Sequence, residues 1–246
     1  MERGFPFLSF FIQFNMATLK RHLRNAMDLI TGKEPWTYVQ IRKKMQWLGN
    51  PGAGFFVCSE MLRPQSIVYS FGLGEDISFD KGLIEKYGCQ VFGFDPTPKS
   101  IAFMEKNKID GFHFFPVGLS DSDGTLTFYL PQNPGHVSCT TYNRWGYDET
   151  VIKPIDVPVK KFSTLVAELG HSRIDILKID IEGSEYGVID DIIKSDVEIG
   201  QIMLEFHHRF NGISPKMTLE VVRKLKNAGF KIAAISETRE EYTFIK

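Results

Sequence analysis

The run Ile176-Leu177-Lys178-Ile179-Asp180-Ile181-Glu182-Gly183-Ser184-Glu185 carries four charged residues in an apolar setting. In an extended chain, Lys178, Asp180 and Glu182 share one face and Leu177, Ile179 and Ile181 the other. Buried strands hold such charges only when they pair or work. A second apolar run, Met203-Leu204-Glu205-Phe206-His207-His208, ends in the same kind of residue. Carboxylates and an imidazole at two neighbouring strand ends can take a proton from an alcohol. His207 is the preferred base, because imidazole titrates near working pH, with Asp180 second and Glu182 beside it. Blander roles stand next to these. Lys178 can simply neutralise the acids, Glu182 or Glu185 can cap the following helix, and the histidines can decorate a surface. Asp180, Glu205 and His207 also form a set that can take a divalent metal. No tight ligand motif accompanies them, so no metal ligand is assigned.

Upstream, Val68-Tyr69-Ser70-Phe71-Gly72-Leu73-Gly74-Glu75-Asp76 reads as a strand ending in a glycine turn. Glycine allows tight turning and close approach of backbone to ligand. The dinucleotide fingerprint needs a third glycine where Ile77 stands, and Glu75 and Asp76 place negative charge where a pyrophosphate would bind. Asp95 ends the next strand, where an acid can accept ribose hydroxyls. Gly72, Gly74 and Asp95 together ask for a nucleoside with a positive centre and no phosphate. S-adenosylmethionine fits that description, and a plain strand–turn–helix junction with a capping acid is the alternative.

These residues need a frame that brings strand ends together. Apolar runs at Ile67–Ser70, Val91–Phe94, Gly111–Val117, Ile174–Ile181 and Gln201–Phe206 alternate with helical patterns at Ser78–Tyr87, Lys99–Asn107, Phe162–Leu169, Glu185–Ser195 and Pro215–Ala228. Thr125–Tyr129 reads as an extra strand, and Phe230–Ile235 with Tyr242–Ile245 as a closing hairpin. Alternation of this kind predicts an α/β fold, a mostly parallel sheet with an antiparallel strand at its C-terminal edge. Ligands of such sheets sit beyond the carboxyl ends of the strands. The loop from Pro131 to about Asp148 is polar and aromatic, as suits a lid over a hydroxylated acceptor.

The 246 residues divide at the turn-rich Gly49–Gly54 into an extension, 1–50, and a main domain, 51–246. The extension holds an apolar Phe5–Phe14 stretch and an amphipathic basic helix over Ala17–Ile30. Residues 1–44 carry eight Lys/Arg against three acids, although the whole chain is at −1. That overall charge excludes a general nucleic-acid binder. The apolar stretch is too short to span a bilayer as a helix, and Asn15-Met16-Ala17 is a poor signal-cleavage site. Contact with a membrane surface or a protein partner suits it better. Three scattered cysteines give neither a disulfide framework nor a zinc motif, and a cytoplasmic location is expected.

The chain resembles the FkbM family of S-adenosylmethionine-dependent methyltransferases over about Ser66–Lys246. The resemblance rests on the glycine turn, on Val91-Phe92-Gly93-Phe94-Asp95-Pro96, on Gly118-Leu119-Ser120-Asp121, and on Leu177–Glu185 followed by Met203-Leu204-Glu205-Phe206-His207. It implies a Rossmann-like fold with a seven-stranded sheet. It also implies O-methylation of a sugar, glycan or other small molecule, with S-adenosylmethionine as cofactor. Gly72, Gly74 and Glu75 would then contact the methionine part, Asp95 the ribose and Leu119 the adenine, with Phe71 and Asp180 also binding the cofactor. Ser70-Phe71 departs from the usual acid–apolar pair before the turn. Two other functions remain in view: a non-catalytic S-adenosylmethionine-binding scaffold, and a nicotinamide oxidoreductase, which the acids at the turn disfavour.

Overall fold

The structure is a computed structural model that describes residues 23–25, 27–129 and 154–246. The Phe5–Phe14 stretch, much of the Ala17–Ile30 helix and the Pro131–Asp148 loop lie outside them. The strands are β1 (Gln46–Leu48), β2 (Phe55–Val57), β3 (Ile67–Phe71), β4 (Gln90–Phe94), β5 (Phe112–Phe115), β6 (Gly118–Leu119), β7 (Gly124–Tyr129), β8 (Pro154–Lys160), β9 (Arg173–Ile179), β10 (Glu198–Glu205), β11 (Lys231–Ile235) and β12 (Glu241–Ile245).

Seven of these form the central sheet in the order β11-β12-β10-β9-β3-β4-β5. β5, β4, β3, β9 and β10 run parallel, and β12 pairs antiparallel with both β10 and the edge strand β11. The chain leaves β3 for β4 and β5, then returns to β9 on the other side. The switch point therefore falls between β3 and β9, where a ligand crevice is expected.

The sheet is apolar on both faces, as parallel sheets must be. Tyr69, Phe71, Leu177, Ile179, Ile202 and Leu204 pack on one side, and Val68, Val91, Ile176 and Met203 on the other. Phe71 is fully buried and stacks on Phe94 at 4.5 Å between ring centroids. Burying a side chain of this size stabilises the fold by ~1.5–3 kcal/mol.

The helices end where local chemistry ends them. Gly88 and Gly170 adopt left-handed conformations after Tyr87 and Leu169 and return their N–H groups to Ile84 and Val166. Thr97 caps the helix Pro98–Lys106, which carries proline in its first turn.

Three features differ from the pattern reading. Gly49–Gly54 is the turn of the β1–β2 hairpin, and Leu48, Phe55 and Val57 are buried against Phe79 and Leu83 of the helix Ser78–Tyr87. β8 carries two prolines, yet it pairs with β7 along its length and with β6 only at Val159 and Lys160. Pro158 thus has a strand on one side only, so its missing N–H removes no ladder bond there. Finally, Glu34 joins the chain's early part to the sheet. Its buried carboxylate lies 3.0 Å from His208 Nε2 and 2.7 Å from Arg209 Nη2. Burial pushes its pKa up, but the hydrogen bonds from His208 and Arg209 outweigh that and leave it lowered.

Candidate functional site

A cavity of about 830 Å³ opens at the carboxyl ends of β3, β4, β9 and β10. Gly72, Gly74, Glu75, Asp95, Leu119, Asp180, Glu182 and His207 all line it. Phe71 does not. Its side chain belongs to the core, and its role is carried by its carbonyl, which accepts from the Asp180 N–H at 3.1 Å.

The glycine turn is built from the backbone outward. Gly72 (φ +77°) and Gly74 (φ +56°) occupy the left-handed region that favours glycine. Asp95 clamps the turn. Its Oδ2 accepts from the N–H groups of Leu73 and Gly74 at 2.9 and 3.0 Å. Its Oδ1 accepts from the Thr97 N–H and hydroxyl at 2.9 and 2.7 Å. A carboxylate has about four acceptor positions, and these four donors fill them. The ribose contact expected of Asp95 therefore requires one donor to give way, and the Thr97 hydroxyl, a single rotor, is the easiest to displace.

Lys178 holds the turn from beneath. Its Nζ donates to Gly72 O at 2.6 Å and lies 3.9 Å from Asp180 Oδ2. It sits on the layer that contains Phe55, whose ring centroid is 5.9 Å away. Strand alternation, expected to run to Glu182, stops at Ile179. Beyond it the chain turns outward with Glu182 in the left-handed region (φ +54°), so Asp180, Ile181 and Glu182 all reach the cavity.

His207 stands within a ring of acids from two segments. Its Nδ1 is 3.0 Å from Glu185 Oε1, and its Nε2 is 3.6–3.9 Å from carboxylate oxygens of Glu182, Asp180 and Glu205. Burial works against the charged ring, but Glu185, Asp180 and Glu205 outweigh it and hold its pKa up at about 10. An imidazole held in its charged form has no lone pair to offer. The acids around the ring therefore favour Glu205 over His207 as the base, for an electrostatic reason. Glu205 behaves in the opposite sense. Burial first, and then the charge of Asp180, raise its pKa well above the usual carboxylate value. A carboxylate so raised is a stronger base than an exposed one.

Glu185 is fully buried and already engaged. Its Oε1 accepts from the Ile181 N–H at 2.9 Å, and both oxygens lie 3.1–3.2 Å from the Gly183 N–H. It thus satisfies backbone donors at the start of its own helix, which was one of the roles open to it.

Sequence reasoning missed the contribution of the β1–β2 turn, whose Pro51, Gly52 and Ala53 form part of the wall. Asn50 ties that turn to the site through Asp76 Oδ2 at 2.9 Å and Ser78 Oγ at 2.8 Å. The Asn-Pro-Gly cluster marked a turn, but nothing local showed which cavity it bordered.

The donor set tests which cofactor fits. Among the described lining residues, nine carboxyl side chains face only Lys178 and His207 as basic groups. Such a wall repels phosphates and attracts a cationic ligand. A sulfonium and an α-amino group suit it, and a pyrophosphate does not. The glycine turn, Asp95 and Leu119 would hold S-adenosylmethionine, leaving Asp180 and Glu182 beyond β9 and Glu205 of β10 for an acceptor.

A family model, the methyltransferase FkbM domain, matches residues 76–232. The human "Probable methyltransferase-like protein 24" is 26% identical over 160 residues, 64% of this chain and 37% of that protein. "31-O-demethyl-FK506 methyltransferase FkbM" of Streptomyces tacrolimicus is 25% identical over 202 residues, covering 70% of this chain and 75% of the relative. "2-O-methyltransferase NoeI" of Sinorhizobium fredii is 21% identical over 150 residues, covering 54% and 60%. The chain thus spans well under half the length of the human relative.

Proposed function

This chain belongs to the methyltransferase FkbM domain family, and from that premise we propose that it moves the methyl group of S-adenosylmethionine to a hydroxyl oxygen of a sugar or other hydroxylated small molecule. The observation that carries the reading is one shared space, lined by the glycine turn and Asp95 together with Asp180 and Glu205. Its volume lies within the usual range for ligand pockets.

The cofactor supplies an activated methyl, whose bond to sulfur breaks as the bond to oxygen forms, the electron pair returning to sulfur. The protein's residues do the rest. Asp95 and Lys178 fix the glycine turn from opposite sides, so the cofactor's seat is formed before it binds. Glu205 accepts the acceptor's hydroxyl proton as oxygen attacks. His207, as an imidazolium, balances the acids around it.

Incubation with methyl-labelled S-adenosylmethionine and a panel of sugars, polyols, polyketide alcohols and amines tests this. Label transferred to a hydroxyl is the expected result. Label appearing only on amines overturns the O-methyl reading.

The early part of the chain supports a second, separate role. Leu23, Met27, Ile30, Trp36 and Tyr38 are all more than half exposed, next to a basic segment. These suit peripheral contact with a membrane surface or a protein. Among the described residues no helix is long and apolar enough to cross a membrane.

A further inference from the structure

We propose that Asp80, in the helix Ser78–Tyr87, anchors the ammonium end of S-adenosylmethionine: its unpaired carboxylate takes the α-amino group of the ligand seated at the glycine turn. The inference rests on the cofactor reading above and adds to it a residue on the floor of the cavity.

Asp80 differs from the other acids near the turn. It lines the cavity with Gly72, Gly74 and Lys178, yet it is 1% exposed and its Oδ1 makes no hydrogen bond. The neighbouring acids are satisfied. Asp95 already holds four donors. Asp76 accepts from the Ser78 N–H at 2.8 Å and from Asn50 Nδ2 at 2.9 Å. Glu75 is exposed and can be met by water. An acid in the first turn of a helix commonly serves the backbone donors and dipole there. Asp80 has that position, but its Oδ1 is left unmet. A buried carboxylate oxygen without a donor is costly, so it points to a partner from outside the chain.

The surrounding side chains do not supply that partner. Lys178, from β9, is the basic group that faces Asp80, but its Nζ donates to Gly72 O at 2.6 Å and lies 3.9 Å from Asp180 Oδ2. Ser70, from β3, lies close, and its hydroxyl is also without a hydrogen bond. Asp76, in the turn, repels a charge on Asp80. Burial is the largest influence and raises the pKa of Asp80 despite Lys178 and Ser70. The ligand's chemistry matches this gap. An ammonium brings three donors and no acceptor, and its hydrogen bonds to a carboxylate are charge-assisted.

A proton balance follows. With the seat empty, burial favours the protonated acid. An entering ammonium favours the carboxylate, so Asp80 gives its proton to solvent while the ammonium keeps its own. The pKa is higher in the empty protein than in the complex, and binding therefore strengthens as pH rises between the two values.

Calorimetric titration of the full chain with two nucleosides tests the assignment. S-adenosylhomocysteine keeps the ammonium; 5′-methylthioadenosine keeps the adenosine and sulfur but lacks the amino-acid end. Asp80→Asn should bind S-adenosylhomocysteine weaker by roughly tenfold or more, and 5′-methylthioadenosine as the wild type does. Equal weakening of both would make Asp80 a structural counter-charge for Lys178 and overturn the proposal. Undiminished binding of S-adenosylhomocysteine by the variant overturns it too. The wild type gives a readout that needs no variant to fold. In buffers of different ionisation enthalpy at about pH 6, well below the α-amino pKa, proton release should accompany S-adenosylhomocysteine and not 5′-methylthioadenosine. Its absence also overturns the proposal. S-adenosylmethionine titrated alongside separates the two readings. If the wild type binds it while these expectations fail, only the role of Asp80 falls; if the wild type binds none of the three ligands, both fall.

Discussion

Gly72→Ala collapses the functional end of the sheet. A Cβ at Gly72 would lie 1.6 Å from the carbonyl oxygen of Asp180 and 2.7 Å from its carbonyl carbon. Both are backbone atoms, so no side chain can swing aside. β3 and the exit of β9 would have to separate, breaking the Asp180 N–H bond to Phe71 O and the Lys178 bond to Gly72 O. Overpacking costs ~1–3 kcal/mol, and an alanine held at left-handed φ adds ~1–2 kcal/mol. Against a total stability of ~5–15 kcal/mol, that is a large fraction. Urea unfolding should show the loss, and calorimetry should show no cofactor binding. A variant as stable as the wild type, binding equally well, would mean that the turn does not pack on Asp180 as described.

Glu205→Gln has the largest expected effect on chemistry. The amide keeps the shape of the side chain but cannot accept the hydroxyl proton. Turnover with any acceptor that the wild type methylates should fall by ~10²–10⁴-fold, the usual worth of a general base. Cofactor affinity should stay close to the wild-type value, since Glu205 lies on the acceptor side. The pH profile adds a sign. Burial and Asp180 raise the pKa of Glu205, so the active carboxylate forms at higher pH than for an exposed glutamate and the acidic limb of turnover moves upward. That limb should vanish in the variant. Unchanged turnover in Glu205→Gln would pass the role of base to Asp180.

Much of the frame was legible because its signals are local. Gly88 and Gly170 end their helices by adopting a backbone that other residues resist, so Ser78–Tyr87 and Phe162–Leu169 were read from a few neighbours. The parallel strands were legible for the same reason: each is a short apolar run between turn residues. What escaped was set at a distance. The prolines of β8 argue against a strand until β6 is seen to cover only two of its residues. Phe71 immediately precedes the turn in sequence, yet alternation sends its ring into the core. His207 is the most instructive case. Its assignment as base assumed an ordinary imidazole, but the acids that surround it come from 180–185 as well as from nearby Glu205. Their place at neighbouring strand ends was legible, but not how closely they surround the ring. Asp95 shows the same limit: its place at a strand end was evident, but not the four donors that already occupy it.

The central claim is that the cavity receives S-adenosylmethionine, and calorimetric titration of the folded wild type tests it most directly, with NADH as the competitor class and Asp95→Ala as the variant. The account predicts one saturable S-adenosylmethionine per chain, no binding of NADH, and loss of binding when Asp95 no longer holds the glycine turn. A folded wild type that binds NADH, or that binds no S-adenosylmethionine with or without an added divalent metal, would contradict it.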